Sequence, residues 1–280
     1  MELRYLDLDK ITKYLLRLHG VRARRKLSQH FIVDRKLLYE VLEHVSKLRP
    51  SRVVEIGTGL GLLTACLSDV ANYVVSVELD SKLAGVAVDF LNREVGFRVV
   101  DVLVGDGLLL LHSGLREADI IVSNVPYSIT GPLINSIVKS NCRAAVLTLQ
   151  NEVAERLTAL PGSKGYSRLT AMVNTFMNVE LGGLYPPSSF TPRPKVYSRV
   201  VVLMRIREWS DEWRVYEDLI RCLFNQKRKL ARKVLRNCLR GSLSGEDVLK
   251  LESLTEGKRV YQLDVETLLN IYSIVRRITC

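Results

Sequence analysis

The stretch that decides the fold reads Val53-Val54-Glu55-Ile56-Gly57-Thr58-Gly59-Leu60-Gly61. A β-branched run leads into three glycines at every second position, and an apolar, helix-like segment follows. Glycines permit tight backbone torsions and let a ligand approach the main chain without meeting a Cβ, and the helix behind them presents free amides. The spacing is G-x-G-x-G rather than the G-x-G-x-x-G dinucleotide fingerprint, which disfavours a nicotinamide dehydrogenase. Alone, the motif is often only a turn, so its meaning depends on the surrounding residues.

Apolar strands and helix-like segments alternate around this turn. The sequence predicts strands over residues 52–56, 73–79, 97–104, 119–123 and 143–149, with helices between them. Near-continuous apolar strands alternating with helices are typical of a mostly parallel sheet covered on both faces. Two later runs, 177–184 and 199–206, are expected to add an antiparallel pair at one edge of this α/β sheet.

The chain changes character after Arg207. Residues 208–280 contain no proline and no strong strand pattern, and the apolar residues from Leu219 to Leu235 fit one amphipathic helix whose other face is basic. We therefore predict a first domain over residues 1–207, with a basic N-terminal segment over 1–33, and a small helical domain over 208–280.

Composition excludes several classes of protein. Hydrophobic residues make up 47% and charged residues 25% of the 280, as in soluble globular proteins and unlike disordered or fibrous ones. No apolar run approaches the ~20 residues needed to span a bilayer, and Glu2, Asp7 and Asp9 argue against a signal peptide. Five scattered cysteines without a C-x-x-C or Cys/His cluster predict reduced thiols, a cytoplasmic location and no metal site. We expect a monomer that makes no membrane contact.

The net charge of +11 is unevenly spread. Residues 51–150 hold seven basic and ten acidic residues, whereas residues 13–26, 193–207 and 221–240 hold six, five and eight basic residues and no acid. Surface charge for solubility would explain one such run, but three favour a nucleic-acid-binding surface around a small-molecule site. The basic residues expected to bind nucleic acid are Arg22, Arg24, Arg25, Lys26, Arg193, Lys195, Lys227, Arg228, Lys229, Arg232 and Lys233.

Two acidic residues stand at the ends of later predicted strands. Glu78 ends the second strand, where a carboxylate can accept hydrogen bonds from both ribose hydroxyls of a nucleoside. Asp106 ends the third strand and could accept a hydrogen bond from an adenine amino group. Like the glycine turn, both lie at carboxyl ends of parallel strands, where open α/β sheets bind ligands. Singly, each acid is more often a helix cap or a surface residue, but the set predicts a site for a nucleoside cofactor.

The segment Ser123-Asn124-Val125-Pro126-Tyr127 ends the fourth predicted strand. An amine conjugated to a ring is a poor nucleophile because its lone pair is delocalised. The Asn124 side-chain oxygen and the Pro126 carbonyl can hold its two hydrogens, which draws the nitrogen toward tetrahedral geometry and frees the lone pair. Tyr127 can stack on the base, worth ~1–3 kcal/mol. A lone N-x-P-Y would be a turn with a buried tyrosine. After the glycine turn, Glu78 and Asp106, it predicts chemistry on an adenine amine.

Taken together, these motifs resemble those of S-adenosylmethionine-dependent adenine-amino methyltransferases. Further segments resemble the KsgA/Dim-type small-subunit rRNA adenine dimethyltransferases: KLSQHFI at 26–32, QNEVAER at 150–156, PGSKGY at 161–166, FTPRPKVYS at 190–198 and FNQKRK at 224–229. The chain departs from this family at Ser28, His30 and Ile32, where the family has Gly, Asn and Leu. Lys227 stands where the family has Arg, which keeps the charge.

This resemblance implies a Rossmann-like class I methyltransferase sheet with helices on both faces and a small C-terminal helical domain. It also implies S-adenosylmethionine as methyl donor, S-adenosylhomocysteine as product, and small-subunit rRNA or a pre-small-subunit particle as partner. The implied cofactor-binding residues are Gln29, His30, Ile32, Gly57, Gly59, Gly61, Glu78, Asp106 and Asn124. The implied catalytic residues are Asn124, Pro126, Tyr127 and Phe190, where Phe190 either stacks on the other face of the target adenine or is an ordinary core residue.

Two alternative functions stay open at this point. A large-subunit rRNA adenine methyltransferase of the macrolide-resistance type would share the cofactor motif and N-x-P-Y. A nucleic-acid-binding factor that has lost catalysis could use the same scaffold, although the intact Glu78, Asp106 and 124–127 segment argue against it.

Overall fold

A computed structural model describes residues 7–24, 29–94, 99–113, 118–239 and 244–279. Its strands are β1 (Phe31–Ile32), β2 (Arg52–Ile56), β3 (Tyr73–Glu78), β4 (Val100–Val104), β5 (Ile120–Asn124), β6 (Ala144–Gln150), β7 (Met177–Tyr185), β8 (Phe190–Thr191) and β9 (Ser198–Arg205). Its helices are α1 (Leu8–Leu18), α2 (Arg35–Leu48), α3 (Leu62–Leu67), α4 (Ser81–Glu94), α5 (Gly107–Ser113), α6 (Thr130–Lys139), α7 (Asn151–Leu157), α8 (Arg168–Phe176), α9 (Arg214–Phe224), α10 (Ala231–Cys238), α11 (Gly245–Leu254) and α12 (Val265–Thr279).

Seven strands form one sheet in the order β4-β3-β2-β5-β6-β9-β7. The pairs β2–β3, β2–β5, β3–β4 and β5–β6 are parallel, and β9 runs antiparallel to β6. The predicted Rossmann-like class I sheet with helices on both faces is confirmed, and the two late strands do lie together at one edge. Because β2 to β5 are parallel, the loops that follow them lie at the same edge of the sheet.

The central strands are apolar on both faces, which suits a sheet covered by helices on each side. Val53, Val54, Ile120 and Ile121 are all fully buried. On one side α2 begins at the cap Asp34, whose carboxylate accepts from the Lys36 amide at 2.8 Å. The central strands thus form a sheet that is buried on both faces.

The chain divides into two compact units, residues 1–154 with 179–205, and residues 155–178 with 206–280. The second unit contains a cluster of aromatic rings around Phe176, which packs against Trp209, Trp213 and Tyr216. The predicted boundary after residue 207 falls within two residues of the last division, but it missed residues 155–178. This segment joins the helical unit because its α8 supplies Phe176 to that aromatic core.

The predicted single helix over 219–235 is wrong, because the structure places a turn between α9 and α10. Tertiary hydrogen bonds hold this turn: the Lys227 ammonium donates to the carbonyls of Lys164 at 3.2 Å and Tyr166 at 2.9 Å, and the Lys229 carbonyl accepts from the Val260 amide at 3.1 Å. These contacts override a helical periodicity that continues through the turn.

The prediction that all the thiols are reduced is also wrong. Cys222 in α9 and Cys238 in α10 form a disulfide, whereas Cys66 and Cys142 are buried and belong to no disulfide in the described part of the chain. The turn between the two helices brings cysteines that are 16 residues apart to a Cα–Cα distance of 6.0 Å, which a continuous helix would not do. Cys280 lies outside the described residues.

Candidate active site

A cleft opens at the edge of the sheet where β2, β3, β4 and β5 end. Seven of the predicted cofactor-binding residues line it together with the predicted catalytic Pro126. They are Gln29, His30, Gly57, Gly59, Glu78, Asp106 and Asn124. These residues come from five separate stretches of sequence, and the parallel topology brings them together.

Apolar residues that the sequence analysis missed complete the cleft. They are Phe31, Ile56, Val77, Leu79, Leu83, Leu108 and Ile129. Most of them are immediate neighbours of a motif residue, and this adjacency is the signal that could have identified them. An apolar lining with a few polar groups is typical of a small-molecule site.

Glu78 is held firmly at the end of β3. Its carboxylate accepts from the amides of Gly59 and Asp80, each at 2.9 Å, and the residue is only 7% exposed. Burial raises the pKa of this carboxyl, while the two backbone hydrogen bonds act in the opposite direction. The glycine turn and the acid after β3 are therefore one hydrogen-bonded unit.

The glycine turn leaves room for a ligand. Gly57 and Gly59 have φ values of +92° and +58°, a region that side chains disfavour. A Cβ on Gly57 would meet no atom within 4 Å, whereas one on Gly59 would lie 3.2 Å from the Phe31 ring. The backbone is thus exposed to the cleft at Gly57, as the close approach of a nucleoside cofactor requires.

Three predicted cofactor residues have other contacts. Gly61 caps α3 with φ +82°, and a Cβ there would lie 3.3 Å from Ala87 of α4, so this glycine permits close helix packing. Ile32 is buried and lines a smaller neighbouring cavity rather than the cleft. Asp106 lines the cleft but also accepts from the Leu108 amide at 2.8 Å, which is the helix-cap role that its sequence context allows.

Asn124 is oriented by its amide. Its Nδ2 donates to the carbonyl of His30 at 2.6 Å, and its side-chain oxygen, which can only accept, has no donor among the described residues. The Pro126 carbonyl accepts from the Ile129 amide at 3.0 Å and keeps its second lone pair. The residues at the end of β5 thus present two acceptors at the cleft.

Tyr127 is half-buried beside these acceptors. Its ring lies 5.4 Å from the His30 ring, centroid to centroid, and its hydroxyl lies 2.9 Å from the Ser198 hydroxyl. The His30 Nδ1 donates to the Pro192 carbonyl at 2.6 Å. Burial raises the pKa of the Tyr127 hydroxyl, which keeps the phenol neutral.

The expectation that Phe190 stacks on a substrate ring does not fit the structure. Phe190 is 2% exposed, belongs to the hydrophobic core and pairs with Ile32 between β8 and β1. It therefore has the role of a core residue that the sequence analysis gave as its alternative. Its proline-rich surroundings have no periodicity that would reveal on which side the ring is buried.

The predicted nucleic-acid-binding residues have different environments. The Arg24 guanidinium pairs with Asp80 at 3.2 Å, and its backbone amide donates to the Gln29 side chain at 2.7 Å, while its side chain stays 55% exposed. The Lys227 ammonium donates to the carbonyls of Lys164 and Tyr166. Arg25 and Lys26 lie outside the described residues. The exposed members of the set are Arg22, Arg24, Arg193, Lys195, Arg228, Lys229, Arg232 and Lys233.

Within the described ranges, no three His, Cys, Asp or Glu side chains are grouped so as to hold a metal ion. No helix in that part of the chain is long and apolar enough to cross a membrane.

Glu55 is a buried acid that the sequence analysis did not single out as a site residue. One carboxylate oxygen accepts from Thr64 at 2.5 Å and Ser76 at 2.6 Å, and the other has no partner in the described structure. Burial raises the pKa of Glu55 to about 7, with a further contribution from the charge of Glu78. The folded protein therefore binds this proton more tightly than the unfolded chain does.

This difference predicts how stability depends on pH. The contribution of Glu55 is fully present below the ordinary carboxyl pKa near 4.5 and is lost as pH rises through about 7. At pH 8 we expect Glu55→Gln to be more stable than the wild type by at most about 3 kcal/mol and to unfold several degrees higher. At pH 5 the two proteins should unfold at nearly the same temperature. Thermal unfolding across this range measures the difference. Glu43→Gln, whose pKa is lowered by Lys47, is the control and should show no such gain. If the unfolding temperatures of Glu55→Gln and the wild type differ by the same amount at pH 5 and pH 8, the raised pKa of Glu55 is contradicted.

Comparison with known proteins gives consistent relatives. Residues 20–277 match the family model for ribosomal RNA adenine dimethylase. The chain is 36% identical over 264 residues to a probable ribosomal RNA small subunit methyltransferase A of Methanothermobacter thermautotrophicus, which covers 93% of both chains. It is 39% identical over 251 residues to the protein of the same description from Pyrobaculum aerophilum, covering 89% of this chain and 97% of the relative.

Solved structures agree with this result. A crystal structure of a dimethyladenosine transferase from Plasmodium falciparum matches with a TM-score of 0.74 and 27% identity, over 86% of this chain and 96% of that one. The 23S rRNA methyltransferase ErmE matches with a TM-score of 0.61 at 24% identity, over 88% of this chain and 99% of that one, a likeness of fold.

Proposed function

Because the chain belongs to the ribosomal RNA adenine dimethylase family, we propose that the cleft at the ends of β2 to β5 is the active site in which the Asn124 oxygen positions the target amine. The protein is an S-adenosylmethionine-dependent dimethyltransferase of adenine in small-subunit rRNA. The observation that carries the proposal is the bond from the Asn124 amide to the His30 carbonyl, because it fixes the orientation of the side chain and therefore of its acceptor oxygen.

The cofactor would be held by groups that the protein's own backbone already fixes in position. Glu78 is fixed by two backbone amides and would accept from the ribose hydroxyls. Gly57 lets the nucleoside lie against the main chain, and Asp106 would accept from the adenine amino group. His30 and Gln29 line the same cleft and would contact the amino-acid end of the cofactor.

The target amine would donate its two hydrogens to the Asn124 oxygen and the Pro126 carbonyl. With both hydrogens held, the nitrogen lone pair leaves conjugation with the ring and becomes nucleophilic. When bound, S-adenosylmethionine supplies the methyl group: the amine nitrogen bonds to the methyl carbon while the carbon–sulfur bond breaks with its electron pair on sulfur. The methylated amine is then cationic and releases its proton to water, so no strong base is needed.

Methyl transfer itself is the direct test. Unmethylated small ribosomal subunits and unmethylated large subunits are each incubated with labelled S-adenosylmethionine, and the nucleosides are separated after digestion. We expect label in dimethyladenosine from the small subunit alone. Label in the large subunit would instead support the macrolide-resistance type of enzyme, and absence of label would support the non-catalytic factor.

The exposed basic residues are proposed to bind the rRNA backbone. Arg232 and Lys233 lie on α10, whose hydrophobic face is buried through Val234 and Leu235. This arrangement leaves their charges directed to solvent, where phosphates could be reached. We further propose that the protein acts in the cytoplasm as a monomer during ribosome assembly.

Replacing both basic residues should make RNA affinity less sensitive to salt. Each phosphate neutralised contributes a log–log slope of about −0.7 on single strands and about −0.9 on duplex DNA, so Arg232→Ala with Lys233→Ala should flatten the slope by about 1.4 to 1.8. Binding measured across a salt series gives this slope, and cofactor affinity should not change. Lys250→Ala, which removes a cation paired with Glu246, is the matched control. A slope equal to that of the wild type would exclude α10 from the RNA surface.

A further inference from the structure

Ser198 occupies a fully buried position next to Tyr127, one of the predicted catalytic residues. It is 0% exposed and begins β9, where it pairs with Gln150 at the end of β6. Its hydroxyl lies 2.9 Å from that of Tyr127, and the two belong to the same compact unit. No role in the reaction follows from the residue type, because a buried serine usually satisfies a nearby backbone group.

Tyr127 itself lies on a short turn rather than in a strand of the sheet. It begins a three-residue 3-10 turn that ends at Ile129, directly after β5. Its ring makes a tilted contact with the His30 ring, and its hydroxyl bonds to that of Ser198. His30 is in turn fixed to the Pro192 carbonyl. The hydrogen bond to Ser198 therefore connects the Tyr127 ring, which lies on a short turn, to strand β9 of the sheet.

We propose that Ser198 is a positioning residue for Tyr127, and that the hydroxyl bond between them serves the second methyl transfer more than the first. The inference rests on the proposed function of the cleft. It goes beyond that function because it assigns a role in the reaction to a side chain that touches neither the cofactor nor the adenine.

The number of hydrogens on the amine explains the difference between the two transfers. In the first transfer the amine has two hydrogens for two acceptors, so Asn124 and Pro126 restrain it fully. After one methylation a single hydrogen is left, and one acceptor loses its partner. Stacking on Tyr127 must then supply a larger share of the restraint, since both transfers need the nitrogen in line with the methyl carbon and sulfur. A loosened ring should consequently slow the second transfer more.

The test uses Ser198→Ala, Tyr127→Phe and the double variant of the full-length protein. Single-turnover reactions with small subunits and saturating S-adenosylmethionine separate monomethyladenosine from dimethyladenosine over time. A neutral hydrogen bond is worth a factor of roughly 2 to 12. We expect each single variant to slow the first transfer by at most about threefold and the second by about tenfold, with monomethyladenosine accumulating. The double variant should be no slower than either single variant, because all three remove the same bond.

Ser140→Ala is the matched control. Ser140 is a buried serine in the same unit whose hydroxyl donates to the Ile137 carbonyl at 2.9 Å, away from the cleft. Its product ratio should be that of the wild type, and the KM for S-adenosylmethionine should be unchanged in every variant. Equal slowing of both transfers, or losses that multiply in the double variant, would overturn the proposal. If Ser198→Ala does not fold, Tyr127→Phe alone decides through its product ratio. Absence of any methylation by the wild type would contradict the proposed function instead.

Discussion

Asn124→Ala is expected to lower kcat by about a hundredfold or more, with RNA affinity close to that of the wild type. The amide nitrogen of Asn124 donates to the His30 carbonyl and thereby orients the side chain. The variant therefore removes the side-chain oxygen from a fixed position. Correct alignment of two reactants can supply ~7–11 kcal/mol of a barrier, and the Asn124 oxygen would contribute both to this alignment and to freeing the lone pair of the amine. RNA affinity is expected to depend on the exposed basic residues, which this change does not touch.

Single-turnover rates at saturating S-adenosylmethionine measure this effect separately from cofactor binding. Ser128→Ala is the control, because Ser128 lines the same cleft but its side chain has no carboxamide. Asn124→Asp should also be slow, since a carboxylate cannot donate to the His30 carbonyl and would lose the orientation. Near-normal turnover in Asn124→Ala would refute the mechanism even if the protein methylates rRNA.

Glu78→Ala is expected to weaken S-adenosylmethionine binding by about a hundredfold or more. Two hydrogen bonds from ribose hydroxyls to a charged acceptor would be lost, each worth about 1.5–3 kcal/mol. The Gly59 amide would also lose its acceptor, which would loosen the turn proposed to hold the nucleoside. Glu78→Gln should fall between the wild type and Glu78→Ala, because it keeps an acceptor but not the charge.

Calorimetry with S-adenosylmethionine and with S-adenosylhomocysteine measures these affinities, and circular dichroism shows whether the fold survives. Glu43→Ala removes an exposed acid of α2 and should leave both affinities unchanged. A Glu78→Ala protein that is folded and binds with wild-type affinity would exclude Glu78 as the ribose acceptor.

The sequence could predict which of these residues meet at one cleft because parallel strands impose a strong geometric rule. Once the strands before Gly57, Glu78, Asp106 and Asn124 were identified as parallel, their following loops had to meet at one edge. The structure places all four residues on one cleft.

Features that depend on distant partners could not be predicted in this way. The charge of Arg24 suggested RNA, but its ion pair with Asp80 joins residues far apart in the sequence. The side on which Phe190 is buried follows from the pairing of β1 with β8, two strands of two residues each that have no readable period. The disulfide between Cys222 and Cys238 depends on the turn between α9 and α10. The amphipathic pattern continues through this turn, so the sequence does not indicate it.

The helical unit is built from two separated pieces of chain, and this affects how the protein can be divided. The polypeptide passes between the units three times, after residues 154, 178 and 205. A gene truncated after codon 207 would still encode Phe176 but would lack Trp209, Trp213 and Tyr216, leaving a ring that is now 0% exposed without its aromatic neighbours. Exchange of this unit between relatives would therefore require both pieces to be transplanted together, so the two pieces are expected to accumulate substitutions in concert.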